Sequence, residues 1–155
     1  MSAEIRVTTG GPDETRRVGE TLGAEVQAGD VVLLSGELGA GKTVFVQGVA
    51  RGMGYEGQVS SKSFVIMGEY SGRQKLYHAD LYRLDEPEQV EDLGLGEMTE
   101  DGVLVVEWPE RGDWALPEGD VLVRFEVAGE QERVLTIQAA TPRGEEIVRA
   151  MKDSK

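Results

Sequence analysis

The segment Gly36-Glu37-Leu38-Gly39-Ala40-Gly41-Lys42-Thr43 fits the pattern G-x-x-x-x-G-K-[ST] in full, and it constrains this chain more than any other feature. A loop of this kind wraps a polyphosphate closely enough for successive backbone N–H groups to donate to its oxygens. A Cβ obstructs several of the conformations required. Gly36, Gly39 and Gly41 meet that need, with Glu37, Leu38 and Ala40 between them. The following helix aims its N-terminal N–H groups and the positive end of its dipole at the same phosphates. Lys42 is then expected to reach the β and γ oxygens, and the Thr43 hydroxyl to ligate Mg2+.

The flanking sequence has the order that this chemistry demands. Val31-Val32-Leu33-Leu34 is an unbroken apolar run suited to a strand covered on both faces, and it leads straight into Gly36. From Thr43 to Met53 the apolar residues Phe45, Val46, Val49, Ala50 and Met53 form a helical stripe that closes at Gly52 and Gly54. Upstream, Ile5 to Thr8 predicts a short strand. Val18, Leu22 and Val26 then predict a helix after Gly10-Gly11-Pro12-Asp13. Downstream, Phe64 to Tyr70 and Lys75 to Leu84 predict two strands joined through Ser71-Gly72. A helix N-capped by Asp85 and stopped by Gly94 is expected next, then a buried strand Val103 to Val106. A hairpin of Asp120 to Val127 with Arg133 to Ala139, turning around Gly129, precedes a terminal helix Glu145 to Lys152. These elements imply an α/β fold: one three-layer P-loop NTPase-like domain over residues 1–155, with a mixed parallel and antiparallel sheet.

Composition narrows the function. A chain of 155 residues is the size of one domain and buries roughly 70% of its unfolded surface. Sixteen basic against 29 acidic residues leave a net charge of −13, poor material for gripping a phosphate backbone directly. Cysteine is absent, which excludes disulfides, thiol catalysis and thiolate zinc sites, and the one histidine, His78, rules out a histidine-rich metal centre. The longest apolar runs fall far short of the ~18 residues a membrane span requires, and Met1 to Arg6 is no secretory signal, so a cytoplasmic protein without membrane contact is expected.

Cleavage at a phosphate also needs a carboxylate near magnesium and a group that orients water, both at the C-terminal ends of strands beside the loop. Asp80, in Leu76-Tyr77-His78-Ala79-Asp80-Leu81-Tyr82-Arg83, lies on one strand face with His78 by simple alternation. Glu107 directly ends the apolar run Val103 to Val106, a Walker B pattern. His78 itself reads more readily as a hydrogen-bonded structural residue than as a general base.

Together with the loop, the segments Tyr77-His78-Ala79-Asp80-Leu81-Tyr82-Arg83-Leu84 and Val106-Glu107-Trp108-Pro109 resemble the TsaE family of small bacterial ATPases, from about Pro12 to Arg133. The resemblance implies ATP and Mg2+ as ligands. It also implies ATPase activity, and action with TsaB-like and TsaD-like proteins in forming threonylcarbamoyladenosine beside the tRNA anticodon, with tRNA met only through those partners. Carried over residue by residue, Lys42, Asp80 and Glu107 are expected to be catalytic, and Thr43, Asp80 and Glu107 to stand near the metal. Gly36 to Thr43, Ser63, Trp108 and Arg133 are expected to meet the nucleotide, with Thr9 to Thr15 near adenine. One segment departs from the family: Ser61-Lys62-Ser63-Phe64 stands where Ser-Pro-Thr and an aromatic are usual, so Ser63 keeps a hydroxyl while Lys62 loses the fixed φ of proline. Two other functions share the loop: a nucleotide-dependent binding switch with negligible hydrolysis, and a small-molecule kinase, for which no arginine-bearing lid segment is evident.

Overall fold

The computed structural model describes residues 3–37, 41–57 and 67–154. Seven strands form one sheet: β1 (Glu4–Thr9), β2 (Val31–Gly36), β3 (Met67–Ser71), β4 (Lys75–Asp80), β5 (Gly102–Glu107), β6 (Val121–Val127) and β7 (Arg133–Ala139). Their order across the sheet is β1-β7-β6-β2-β5-β4-β3. The central strands β6, β2, β5 and β4 run parallel; at one rim β3 pairs antiparallel with β4, and at the other β7 pairs antiparallel with β6 and β1 antiparallel with β7. This is the mixed three-layer α/β arrangement that the sequence implies.

Burial follows from position in the sheet. All six residues of β5 are buried, because helices cover both of its faces, and its sequence is correspondingly a continuous apolar run. In β6 burial alternates, and the outward Leu122, Arg124 and Glu126 are exposed. Helices α1 (Pro12–Glu25), α2 (Lys42–Gly52) and α5 (Pro142–Asp153) bury Leu22, Phe45, Val49 and Ile147 against Val32, Leu34 and Val105. On the other face the short helices α3 (Pro87–Glu91) and α4 (Leu95–Met98) bury Val90 and Leu95 against Tyr77, Leu104 and Val106.

Helices α1 and α2 meet backbone to backbone. A Cβ on Gly19 or Gly23 would stand 2.3 and 2.2 Å from the carbonyl oxygens of Phe45 and Val49. One on Gly48 or Gly52 would stand 2.0 and 2.2 Å from those of Arg16 and Glu20. Four-residue spacing puts each glycine pair on one helix face, so the contact is reciprocal.

Several element boundaries differ from expectation. β4 ends at Asp80, not Leu84. The Tyr82 N–H donates to Asp80 Oδ1 and the Leu84 N–H to the Leu81 carbonyl, a local turn whose leucines fill the core without strand geometry. The N-cap of α3 is Glu86, in a reciprocal capping box with Gln89, because Pro87 takes the first helical position. Gly94 does not simply stop a helix: at φ +66° it joins α3 to α4. α5 starts at Pro142, earlier than expected, capped by the Thr141 hydroxyl accepting from the Gly144 N–H. The expected strand from Phe64 begins outside the described residues.

Candidate functional site

β2 delivers the chain to Gly36, whose φ of +143° suits glycine, and a Cβ there would stand 2.7 Å from the Phe125 carbonyl oxygen. α2 begins at Lys42 after Gly41, which caps it at φ +101°. Thr43, half-buried, lies in the first turn. Leu38, Gly39 and Ala40 of the loop lie outside the described residues, as do Ser61, Lys62, Ser63 and Phe64. Glu37 is exposed.

Lys42 is only 4% exposed. Its Nζ donates to the Gly36 carbonyl oxygen at 2.6 Å and stands 3.8 Å from the centroid of the Trp108 ring. Burial pulls its pKa down, against the charges of Glu107, Glu110 and Asp80, which pull it up.

Asp80 and Glu107 come from the strand ends beside the loop, and Glu110 from the turn Pro109–Arg111 that follows β5. β5 lies between β2 and β4, and Glu107 stands in register with Leu34 on one side and Asp80 on the other. Burial raises the Asp80 carboxyl above its ordinary range. The Tyr82 N–H opposes that rise, and the Glu107 charge adds to it. Glu107 is 3% exposed, and its Oε2 lies 2.5 Å from Nε2 of His78, itself 6% exposed.

Trp108 is the one non-glycine residue with positive φ among those described, at φ 60°, ψ 51°, a conformation costing about 1–2 kcal/mol. The kink follows Glu107 directly and turns the indole toward Lys42 on one side and Tyr82 on the other, ring centroids 4.9 Å apart. The Trp108 N–H donates to the Leu34 carbonyl oxygen at 3.3 Å, which ties the kink to β2.

A cleft of about 210 Å³ opens beside the loop, lined by Gly11, Pro12, Thr15, Gly41, Val44, Glu130, Gln131 and Arg133. It is smaller than the ~300 Å³ at which pockets for drug-sized ligands begin. The Arg133 guanidinium donates to the Gly129 and Glu132 carbonyl oxygens at 3.1 and 2.9 Å. The Thr15 hydroxyl is hydrogen-bonded to that of Thr9 at 2.7 Å.

The structure thus gathers Lys42, Asp80, Glu107 and Trp108 in one place, whereas Arg133 lines a cleft that touches the loop at Gly41. Sequence reasoning did not find the His78–Glu107 bond, the Tyr82–Trp108 contact, or Glu130 and Gln131 in the cleft. Period-two alternation hinted at the first, but only the β4–β5 register brings it about. Among the described residues no three His, Cys, Asp or Glu side chains converge as a metal cage. Two carboxylates and a threonine hydroxyl fit Mg2+ nonetheless, because that ion keeps several waters and takes its remaining ligands from phosphates.

The sequence profile of the family described as "Threonylcarbamoyl adenosine biosynthesis protein TsaE" matches residues 9–135. The tRNA threonylcarbamoyladenosine biosynthesis protein TsaE of Treponema pallidum is 38% identical over 134 residues, covering 86% of this chain and 99% of that one. The protein of the same name from Bacillus subtilis is 38% identical over 144 residues, covering 92% and 90%. The crystal structure of Bacillus subtilis YdiB superposes with a TM-score of 0.83 at 34% identity, covering 99% of this chain and 97% of that one.

Proposed function

The chain belongs to the TsaE family, and on that premise we propose that it is a magnesium-dependent ATPase. Its nucleotide cycle serves TsaB-like and TsaD-like partners in tRNA threonylcarbamoyladenosine biosynthesis. One observation carries the hydrolytic part: Lys42 at the start of α2 shares its surroundings with Asp80 and Glu107, carboxylates held in register at the ends of β4 and β5.

The Lys42 ammonium leaves the Gly36 carbonyl and the Trp108 ring for the β and γ oxygens of ATP, where it offsets charge that grows as the γ-phosphoryl departs. Thr43 and Asp80 would hold the hydrated cation, and Glu107 would orient the attacking water. Mg2+, when bound, neutralises charge on the β and γ oxygens. The cleft at Gly11, Thr15 and Arg133 takes the base or ribose, since it adjoins the loop at Gly41. A net charge of −13 leaves tRNA contact to basic partners, and no described helix is long and apolar enough to cross a membrane. A cytoplasmic place of action belongs to the same proposal, since the family's role is in tRNA threonylcarbamoyladenosine biosynthesis.

The test is ATP hydrolysis by the purified protein with and without the two partners, comparing wild type, Lys42→Ala and Glu107→Ala. Partner-stimulated phosphate release that both substitutions abolish, with Glu107→Ala still binding ATP, is the expected result. ATP binding without phosphate release in any combination overturns the ATPase reading in favour of a binding switch. A phosphorylated metabolite overturns it in favour of a kinase.

A further inference from the structure

We propose that His78 is a positioning residue for Glu107. It holds one carboxylate oxygen, Oε2, so that the other, Oε1, is presented to the water and the hydrated cation at the phosphate end of the site. This rests on the ATPase reading and adds to it a residue that the reading leaves unused.

The strand register produces the contact. Asp80 and Glu107 are opposite each other in the parallel pair β4–β5, and His78 is opposite Val105. The period of two therefore places His78, Asp80, Val105 and Glu107 on one face of the sheet. The Glu107 side chain reaches back one step along that face to the imidazole, 2.5 Å from Oε2. An ionised carboxylate only accepts, so in the proposed role the imidazole Nε2 carries the hydrogen of this bond. Both residues are more than nine-tenths buried, and a buried carboxylate is costly unless hydrogen-bonded.

Position matters here as much as stability. Glutamate has three side-chain torsions, and Glu107 stands at the last position of β5, where the backbone turns into the Trp108 kink. Without a second anchor the carboxylate can leave the face it shares with Asp80. The imidazole supplies that anchor from the neighbouring strand, as outer partners do for metal-site carboxylates.

The test is a double-mutant cycle of His78→Phe and Glu107→Gln, with His78→Gln as rescue. The glutamine amide reaches about as far as Nε2, whereas that of His78→Asn falls short. Two quantities are read: the gain in ATP affinity on replacing EDTA by Mg2+, and kcat and KM for partner-stimulated hydrolysis. His78→Phe and His78→Asn are expected to lower the Mg2+-dependent gain and kcat by about 10–100-fold, with KM little changed. His78→Gln should recover most of the loss, and in the Glu107→Gln background, where only the Mg2+-dependent gain in ATP affinity is read, His78→Phe should cost almost nothing further. An undiminished loss in that background overturns the proposal, as does a folded His78→Gln no better than His78→Phe. Should His78→Phe fail to fold, His78→Asn takes its place in the cycle. If wild type with partners releases no phosphate, the ATPase reading falls, and the Mg2+-dependent affinities of the same variants still decide the role of His78.

Discussion

Lys42 Nζ stands 3.8 Å from the centroid of the Trp108 ring, so the ammonium that opens α2 lies over an indole as well as donating to the Gly36 carbonyl. Contacts of this kind contribute about 0.5–2 kcal/mol. On the proposed function the phosphates of ATP compete for the same ammonium, and nucleotide binding should change the environment of Trp108. The chain has two tryptophans, and the other, Trp114, is 56% exposed. In a Trp114→Phe background, emission from Trp108 is expected to shift on titration with ATP and Mg2+. Adding Lys42→Met should alter the starting emission and remove most of the shift. Unchanged emission at saturating nucleotide would show that Lys42 stays on the ring.

The glycine contact between α1 and α2 leaves no room for a methyl group. Gly23→Ala would bring its Cβ to 2.2 Å from the Val49 carbonyl oxygen, and overpacking of this sort costs about 1–3 kcal/mol or more. Gly96, in α4, has nothing within 4 Å of its Cβ position. There alanine should be neutral or stabilising by about 0.4–1 kcal/mol. Urea denaturation should show a lowered midpoint for Gly23→Ala and an unchanged or raised one for Gly96→Ala.

Arg143 in α5 holds the buried Asp30 through two bonds, Nε to Oδ1 at 2.9 Å and Nη2 to Oδ2 at 3.0 Å. The Gln27 N–H also donates to Asp30 Oδ2, at 2.7 Å. Arg143→Ala leaves that carboxylate short of partners and should cost about 1–3 kcal/mol, held down because the arginine side chain is one-third exposed. The exposed pair Arg149–Glu145, at 3.8 Å, should be worth less than about 0.5 kcal/mol. Equal losses from Arg143→Ala and Arg149→Ala would refute the distinction.

The Tyr77 hydroxyl, donating at 2.9 Å, holds the Asp101 carboxyl below its ordinary range, and Lys75 adds to the effect. A depressed carboxyl stabilises the fold above its unfolded-state pKa, and that contribution is lost as pH falls through the folded-state value. Asp101→Ala should therefore lower the urea midpoint at neutral pH. Most of the difference from wild type should close in acid, below the ordinary aspartate range. A difference that widens as pH falls would mean the sign is wrong.

Elements whose local pattern agrees with their burial were legible from sequence. The run Val31–Leu34, the stripe from Phe45 to Met53 and the hairpin around Gly129 all stand where expected. Leu81 and Leu84 were misplaced into a strand because an apolar residue in a buried turn reads like one in a strand, and the bonds from the Tyr82 N–H to Asp80 and from the Leu84 N–H to Leu81 distinguish them. At the candidate site Lys42, Asp80 and Glu107 were legible as residue types in context. Their mutual placement was not, because it depends on β5 lying between β2 and β4. The left-handed Trp108 carries no local glycine or asparagine signal either. Its conformation is imposed by the Leu34 carbonyl, Lys42 and Tyr82, all distant in sequence or contributed by another strand.

Because α1 and α2 are fastened through Gly19, Gly23, Gly48 and Gly52, with no side-chain layer between them to slide or repack, their N-terminal ends behave as the two jaws of one rigid clamp. One jaw carries Pro12 and Thr15 of the cleft, and the other carries Lys42 and Thr43. On the proposed assignment, a nucleotide that lodges its base end in the first jaw is already aligned for the second. The orientational search narrows with the first contact, because no binding energy is spent on bringing the two helix ends together.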